Sequence, residues 1–293
     1  MSDTGHYRPA REPTCRTLDI RGVPYCINEW GDKDALPVFY LHGWADAGST
    51  FQFVVDAMGD DRRVIAPDWR GFGRTAHQGC SYWFPDYLAD LHAMIEIYAP
   101  GVAVPLIGHS MGGNIASLYA GTFPERVSAL INIEGFGLKD SDPAEAPHRY
   151  RQWIEAGLTE LSFSEYPAID SLATKIARRS PGLGSARAEY VARQWAIVDE
   201  NAVVRLRADA AHKLPNPVLY RRGEAEACWR CVTAPVLLVH GSKSPFADLF
   251  GSPASLPFPN AELAEIDAAG HMIHFEAPEQ LAGLIERFLR KTL

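Results

Sequence analysis

The chain has 293 residues, of which 47% are hydrophobic and 22% charged, as is usual for a globular protein with a sizeable core. Its formal net charge is −8 and it contains no basic run, so we expect no nucleic-acid or membrane partner. No apolar stretch approaches membrane-spanning length, and the polar N-terminus lacks the apolar region of a secretory signal. The five cysteines form an odd set without disulfide-framework spacing, and the sequence therefore predicts a cytoplasmic protein.

The first half of the chain alternates short apolar segments with segments of helical periodicity. Arg21-Gly22 separates the first two predicted strands and is typical of a hairpin. The predicted elements, in chain order, are strands over 17–20, 23–30 and 37–41, a helix over 50–58, a strand over 64–66, a helix over 85–98, a strand before Gly108, a helix to about Thr122 and a strand over 127–133. This alternation predicts an α/β fold with a doubly wound, mostly parallel sheet.

The pattern changes after Gly135. From there to about Cys231 no strand is predicted, and charged, helix-favouring residues dominate. Predicted strands resume over 235–239 and 262–266, and a helix over 278–289 closes the chain. A helical block between strands is most simply a cap over the carboxyl edge of the sheet, where open α/β sheets bind ligands. We therefore predict a core formed by 1–135 and 232–293, and a helical cap over 136–231.

One short motif carries most of the functional information. Gly108-His109-Ser110-Met111-Gly112 follows an apolar strand and precedes a predicted helix. In this context a G-x-S-x-G sequence indicates a nucleophile elbow, in which a strained turn lifts the serine hydroxyl above the sheet. The flanking glycines let the strand and the helix pack closely, because no side chain stands between them. In isolation the same serine could simply cap a helix.

Four segments in order resemble the α/β-hydrolase superfamily, and in particular its capped serine hydrolases. They are residues 41–44, 68–75, 108–112 and 270–278, and the resemblance extends from about Thr17 to the C-terminus. It implies an eight-stranded sheet with the cap inserted after the sixth strand. No phosphate loop, metal cluster or dinucleotide motif is present in the sequence, and we expect no cofactor and no metal.

The resemblance assigns roles to four residues. Ser110 matches the nucleophile, and His271, between Gly270 and a downstream Glu-x-Pro, matches the general base. Imidazole suits this work because its ordinary pKa is close to neutrality. The backbone N–H groups of Trp44 and Met111 match the two donors of an oxyanion hole.

Several other residues are candidates for binding or support. The predicted substrate-binding residues are His42, Trp153 and Trp195. We expect the remaining histidines near the motifs to be structural: His109 supports the elbow, and His274 packs or lines the site.

The acid of the predicted triad departs from the commonest pattern of similar hydrolases. Serine, at Ser244, stands where those proteins usually carry Asp after the strand that resumes the core. Two carboxylates preserve the order nucleophile, acid, histidine: Glu134, at the end of the strand after the elbow helix, and Asp248. We favour Glu134 because a charge that ends an apolar buried strand is costly unless it is paired. A site without a carboxylate remains the third alternative.

The sequence thus predicts a serine hydrolase that cleaves a carboxylic ester of a small, hydrophobic substrate through an acyl-enzyme intermediate. Aromatic residues across the predicted cap favour an apolar substrate group. The nucleophile Ser110 argues against the epoxide hydrolases and dehalogenases of similar sequence, which use Asp. Two alternatives stay open: a hydrolase of C–C bonds in diketone-like substrates, and a ligand receptor that retains the triad. In each case the expected partner is a small molecule.

Overall fold

The computed structural model describes residues 6–59, 62–79, 81–245 and 255–293. The strands are β1 (Thr14–Ile20), β2 (Val23–Trp30), β3 (Val38–Leu41), β4 (Val64–Pro67), β5 (Val104–His109), β6 (Val127–Ile133), β7 (Ala196–Val198), β8 (Val204–Leu206), β9 (Val236–Gly241) and β10 (Ala261–Ile266). The α-helices are α1 (Gln52–Ala57), α2 (Phe84–Tyr98), α3 (Met111–Thr122), α4 (Ala146–Gly157), α5 (Ile169–Arg179), α6 (Ser185–Trp195), α7 (Arg222–Arg230), α8 (Ile273–Glu276) and α9 (Pro278–Thr292). Short 3₁₀ turns cover Gly48–Phe51, Pro124–Arg126, Pro143–Glu145, Pro181–Leu183 and Ala210–Lys213.

Eight strands form one sheet in the order β1-β2-β4-β3-β5-β6-β9-β10. The β1–β2 and β2–β4 pairs are antiparallel, and every other neighbouring pair is parallel. All residues of β3, β4 and β5 are buried, which explains their continuous apolar runs, since a parallel strand covered on both faces has no solvent side. The predicted mostly parallel, eight-stranded sheet is confirmed.

Helices cover both faces of the sheet. Apolar side chains of α2, α3 and α7 form one buried cluster with one face, and those of α1 and α9 form a second cluster with the other. The central strands contribute alternate residues to the two clusters: Leu106 belongs to the first and Ile107 to the second. In the described ranges, none of the helices combines the length and the apolar character that crossing a bilayer would require.

The segment between β6 and β9 is helical but not purely so. The prediction that it contains no strand is wrong, because β7 and β8 form an antiparallel hairpin. Asp199 closes the connection by accepting hydrogen bonds from the backbone N–H groups of Asn201 and Val203 at 2.9 Å. Each strand has only three residues, too few for alternation to be recognised.

Part of this segment packs against the sheet domain. Helices α5 and α6 share a third apolar cluster with Phe53 of α1 and Phe275 of α8. Helix α7 differs, because its Trp229 belongs to the cluster that α2 and α3 form on the sheet. The predicted division of the chain into core and cap stays a prediction.

A buried ion pair fixes the loop that follows β4. Arg70 donates through Nε and Nη2 to the carboxylate oxygens of Asp90 on α2, at 2.7 and 2.6 Å. The hydroxyl of Tyr25, on β2, donates to the same carboxylate at 2.5 Å. Asp90 is fully buried and Arg70 nearly so, and this pair is the closest in a network that also includes Arg21, 2.9 Å from Asp90, and Asp86, 3.7 Å from Arg70. The pair therefore joins the loop after β4 to α2.

We expect Asp90→Ala to lower the free energy of unfolding by about 3–5 kcal/mol, because it removes both hydrogen bonds that the buried Arg70 guanidinium makes to a carboxylate and leaves only the more distant Asp86. The matched control is Glu96→Ala on the same helix, whose carboxylate is exposed and pairs with Arg126. That change should cost less than about 1 kcal/mol. Urea unfolding measures both values. Equal losses in the two variants would contradict the importance of the buried pair.

Candidate active site

Ser110 stands on a strained turn between β5 and α3. Its φ of 52° and ψ of −115° lie outside the regions that L-residues prefer. Its N–H donates to the carbonyl of Ile133 at 2.8 Å, which ties the turn to the end of β6. A Cβ at Gly112 would lie 2.0 Å from the Leu41 carbonyl oxygen, and one at Gly108 would lie 2.4 Å from the Gly112 carbonyl oxygen. The turn can form only with glycine at both positions.

The loop after β3 passes directly beside this turn. A Cβ on Gly43 would lie 2.9 Å from His109 Nδ1 and 3.2 Å from Ser110 Cβ, so glycine permits the approach. Trp44 follows Gly43, while Met111 is the first residue of α3, where an N–H has no carbonyl one turn earlier to bind. The two predicted oxyanion-hole donors therefore belong to the two segments that flank Ser110.

Glu134 follows β6 at the same edge of the sheet. It is only 2% exposed and has a positive φ of 59°. Its Oε1 accepts the N–H of Gly241 at 2.8 Å, and its Oε2 accepts the hydroxyl of Ser244 at 2.5 Å. His271 Nδ1 lies 3.3 Å from the same Oε2, within hydrogen-bond distance. The serine in the place of the usual Asp thus holds the carboxylate that contacts the histidine.

The alternative acid, Asp248, lies outside the described residues, so its part in the site stays a prediction. Among the described carboxylates, Glu134 is the one within ion-pair distance of His271. This contact joins residues that are 137 positions apart in the chain. The candidate favoured from the cost of burying a charge is therefore the one that lies beside the imidazole.

His109 supports the loop of His271 from a second side. Its Nε2 lies 2.8 Å from the His271 carbonyl oxygen, and because a carbonyl only accepts, Nε2 carries the proton. Burial, together with the nearby His274 and His271 rings, holds the pKa of His109 well below its usual value. The His109 ring is therefore neutral, and its role is to position neighbouring groups.

His42 is predicted to bind substrate, but in the structure its ring contacts backbone groups in the protein interior. The ring is fully buried; its Nε2 accepts the N–H of Trp69 at 2.8 Å and its Nδ1 donates to the Gly43 carbonyl at 2.7 Å. Burial lowers its pKa, which keeps this tautomer neutral. Both ring nitrogens bind backbone groups, so His42 shapes the loop that carries Gly43 and Trp44.

Asp46 and His274 form a buried pair that the sequence motifs do not indicate. Asp46 Oδ2 lies 3.1 Å from His274 Nε2, and Asp46 Oδ1 accepts hydrogen bonds from Thr50 and from Trp195 Nε1 at 2.7 and 2.8 Å. Burial alone would raise the pKa of Asp46, but the hydrogen bond and the charge of His274 outweigh it and leave the pKa below its usual range. The pair fixes the loop after β3 against α8.

One group of described side chains has the composition of a metal site. Ligand atoms of Asp46, His109 and His274 lie within 4.8 Å of one another, and all three residues are buried. Both Asp46 oxygens and the Nε2 atoms of both histidines already bind protein groups. These bonds use both Asp46 oxygens and one nitrogen of each ring, whereas the Nδ1 atoms of both histidines are buried without a hydrogen-bond partner among the described residues. We assign no metal to the three residues and describe them as a support for the loop of His271.

Two cavities open beside the candidate site, one lined by His271 and the other by Trp44. The first, the His271 cavity, has a volume of about 600 Å³ and is lined by His271, Met272, Lys243 and Arg179 among others. The second, the side cavity, has a volume of about 360 Å³. Met272 and Arg179 line both cavities and therefore lie between them. Its apolar lining includes Trp44, Phe163, Leu172, Ile176, Trp195 and Phe275. Such dimensions suit a small-molecule ligand.

The two predicted substrate-binding tryptophans are placed differently. Trp195 lines the side cavity while its Nε1 donates to Asp46. Trp153 lies on α4 and, within the described part of the chain, is not among the residues that line either cavity. Trp44, whose backbone N–H is a predicted oxyanion-hole donor, is half exposed and lines the side cavity.

Comparisons with known proteins agree with this architecture. A family model for the alpha/beta hydrolase fold matches residues 37–278. A serine hydrolase-like protein from Danio rerio is 38% identical over 127 residues, which cover 43% of this chain and 39% of that protein. Serine hydrolase-like protein 2 from Homo sapiens is 23% identical over 282 residues, with 90% of each chain covered. The solved thioesterase domain of the curacin biosynthetic pathway has a TM-score of 0.82, at 24% identity, over 94% of this chain and 99% of that domain.

Strain at the turn gives a stability prediction. We expect the free energy of unfolding of Ser110→Gly to be about 1 kcal/mol larger than that of Ser110→Ala, so that the glycine variant is the more stable. The reason is that alanine keeps a Cβ at a positive φ and glycine does not. Both variants lack the hydroxyl, so the comparison isolates the backbone. At Ser128, inside strand β6, the same two substitutions should rank in the opposite order. Urea unfolding of the four variants tests this, and an alanine variant at position 110 as stable as the glycine variant would contradict it.

Proposed function

The chain belongs to the alpha/beta hydrolase family, and from this premise we propose that it is a serine hydrolase that cleaves carboxylic esters of small, largely apolar substrates. The observation that carries the proposal is the hydrogen-bond contact of His271 with the buried carboxylate of Glu134, at the sheet edge where Ser110 stands on its strained turn. The chain matches less than half the length of the Danio rerio relative, a serine hydrolase-like protein whose name supports the class of reaction but indicates no substrate.

In the proposed acylation step, Ser110 Oγ attacks the ester carbonyl carbon while His271 accepts its proton through Nε2. Glu134 accepts a hydrogen bond from Nδ1 of His271, so Nδ1 carries the proton of the neutral ring. Nε2 then carries no proton and can accept one from the serine hydroxyl. The same carboxylate stabilises the imidazolium as it forms. Because Gly241 and Ser244 hold Glu134 from the other side, the imidazole is presented to the serine in one orientation.

The negative charge that develops on the carbonyl oxygen needs fixed donors. We propose that the N–H groups of Trp44 and Met111 provide them, since the first follows the glycine packed against Ser110 and the second opens α3. Loss of one such donor usually costs about 10²- to 10³-fold in kcat. The buried contacts of His42 keep the Trp44 segment in place, so that no reorganisation is needed during the reaction.

The tetrahedral intermediate then breaks down in the proposed mechanism. His271 returns its proton to the leaving alkoxide, and an alcohol departs from the acyl-enzyme. A water molecule, deprotonated by the same imidazole, attacks the acyl carbon and releases the acid and free Ser110. The reaction consumes one water and produces one acid and one alcohol, without a cofactor.

The first test of this proposal is labelling by a fluorophosphonate, which reacts with activated serines. We expect rapid covalent attachment of the probe to the wild-type protein, and its loss in Ser110→Ala, detected by intact mass. Ser117→Ala, a buried serine of α3, is the control and should label as the wild type does. A folded wild-type protein that does not react would refute the hydrolase proposal and favour the receptor alternative.

A second test identifies the acid. Glu134→Gln should lower kcat for a p-nitrophenyl ester by roughly 10²- to 10⁴-fold, because an amide no longer stabilises the required tautomer and its cation. Asp248→Asn is the matched comparison and should leave kcat within about twofold of the wild-type value. Steady-state kinetics on both variants decides between them. A large loss confined to Asp248→Asn would move the role to that residue.

A further inference from the structure

The side cavity has an unusual charge for this protein. The chain carries 36 acidic and 28 Lys or Arg residues, yet the residues that line the cavity in the described part of the chain include Lys175, Arg179 and Lys213 and neither Asp nor Glu. The rest of the lining is mainly apolar. A cavity with this lining is complementary to a molecule that is apolar along its length and anionic at one end.

Lys175 is the most buried of the three cations, since Arg179 and Lys213 are exposed. It lies on α5 and is partly buried, with its Nζ 2.9 Å from the hydroxyl of Tyr166 and 5.0 Å from the centre of the same ring. Within the described residues, no carboxylate lies within ion-pair distance of it. Because Lys175 is partly withdrawn from water and its contacts there are a phenol hydroxyl and ring, an anion in the cavity would be a favourable partner for it.

Arg179 and Lys213 add two further positive charges to the lining of the side cavity. Arg179 lies four residues after Lys175 on α5, where like charges on one helix face repel. The position of Arg179 in the last turn also suits the helix dipole, but that explanation does not extend to Lys175 in mid-helix. Lys213 approaches from a separate 3₁₀ turn, with its Nζ 4.5 Å from the centre of the Phe163 ring. Two separate elements therefore bring cations to one cavity.

The reaction geometry indicates which half of an ester would occupy the side cavity. The leaving oxygen must lie beside His271, which lines the other cavity and returns the proton. The carbonyl oxygen must lie near Trp44, which lines the side cavity. The alcohol group is then directed to the His271 cavity and the acyl chain to the side cavity, past Met272, which borders both.

We propose that the substrate is a monoester of an apolar dicarboxylic acid, whose free carboxylate binds Lys175 and Arg179 in the side cavity. This inference rests on the proposed ester hydrolysis for its choice of bond. Water adds across the ester as before, so the products are the dicarboxylate and an alcohol. The charged end stays bound while the acyl-enzyme forms, and the apolar wall of Trp44, Leu172 and Ile176 covers the chain between the two ends.

The test compares two esters of equal chain length, p-nitrophenyl hydrogen adipate and p-nitrophenyl hexanoate. We expect the wild-type kcat/KM to be at least about tenfold higher for the adipate monoester, and the difference to shrink with added salt. Lys175→Met and Arg179→Gln should each lower the adipate-to-hexanoate ratio by roughly tenfold, mainly through KM. The control is Arg178→Gln, an exposed neighbour that is not among the residues lining either cavity, and it should keep the wild-type ratio.

The ratio remains interpretable if a variant is partly misfolded, because misfolding lowers both rates equally. A wild-type ratio near one, or a ratio that Lys175→Met and Arg179→Gln leave unchanged, would overturn the proposal. If the wild-type protein hydrolyses neither ester and Ser110 resists the fluorophosphonate, the hydrolase function fails by itself. Calorimetric titration of Ser110→Ala with monomethyl adipate and with dimethyl adipate then decides on the cavity. Selective, Lys175-dependent binding of the monoanion supports the anion site, and equal or absent binding overturns it.

Discussion

The arrangement of this site depends on one buried carboxylate. Glu134 lies at the end of a fully covered strand, where an isolated charge would be strongly unfavourable. The Gly241 N–H and the Ser244 hydroxyl donate to it, and His271 lies against it, so three separate chain segments meet at one side chain. If any of these partners were lost, the buried carboxylate would lack a hydrogen-bond partner in apolar surroundings. The contacts therefore restrain both the strand end and the loop of His271.

A second set of buried polar residues supports this centre, and in the described part of the chain none of them lines the His271 cavity or the side cavity. His109 donates to the His271 carbonyl, and Asp46 joins α8 to the loop after β3 through His274. The neutrality of His109 matters, because its ring centre lies 4.8 Å from that of His271. A second cation at that distance would oppose the imidazolium required by the proposed mechanism. Burial thus keeps the supporting histidine uncharged beside His271, which lines a cavity.

Some features could be predicted because they are local. The strained turn at Ser110 is encoded within five consecutive residues, and the steric need for Gly108 and Gly112 follows from the close approach of strand and helix. The sheet followed from strands that are apolar throughout. The β7–β8 hairpin was missed since three residues do not establish a period. His42 lies in the expected loop, but only the fold reveals that both its ring nitrogens bind backbone groups.

The sequence by itself determined the order of the elements, the strained serine turn and the positions of Glu134, which follows a buried strand, and His271, which follows the last strand. The tertiary structure alone decided which of these groups meet. Asp46 and His274 are 228 residues apart, and the cations of the side cavity come from separate elements. Contacts of this kind depend on how strands and helices stack in space, whereas periodicity and motif spacing report only on neighbours along the chain.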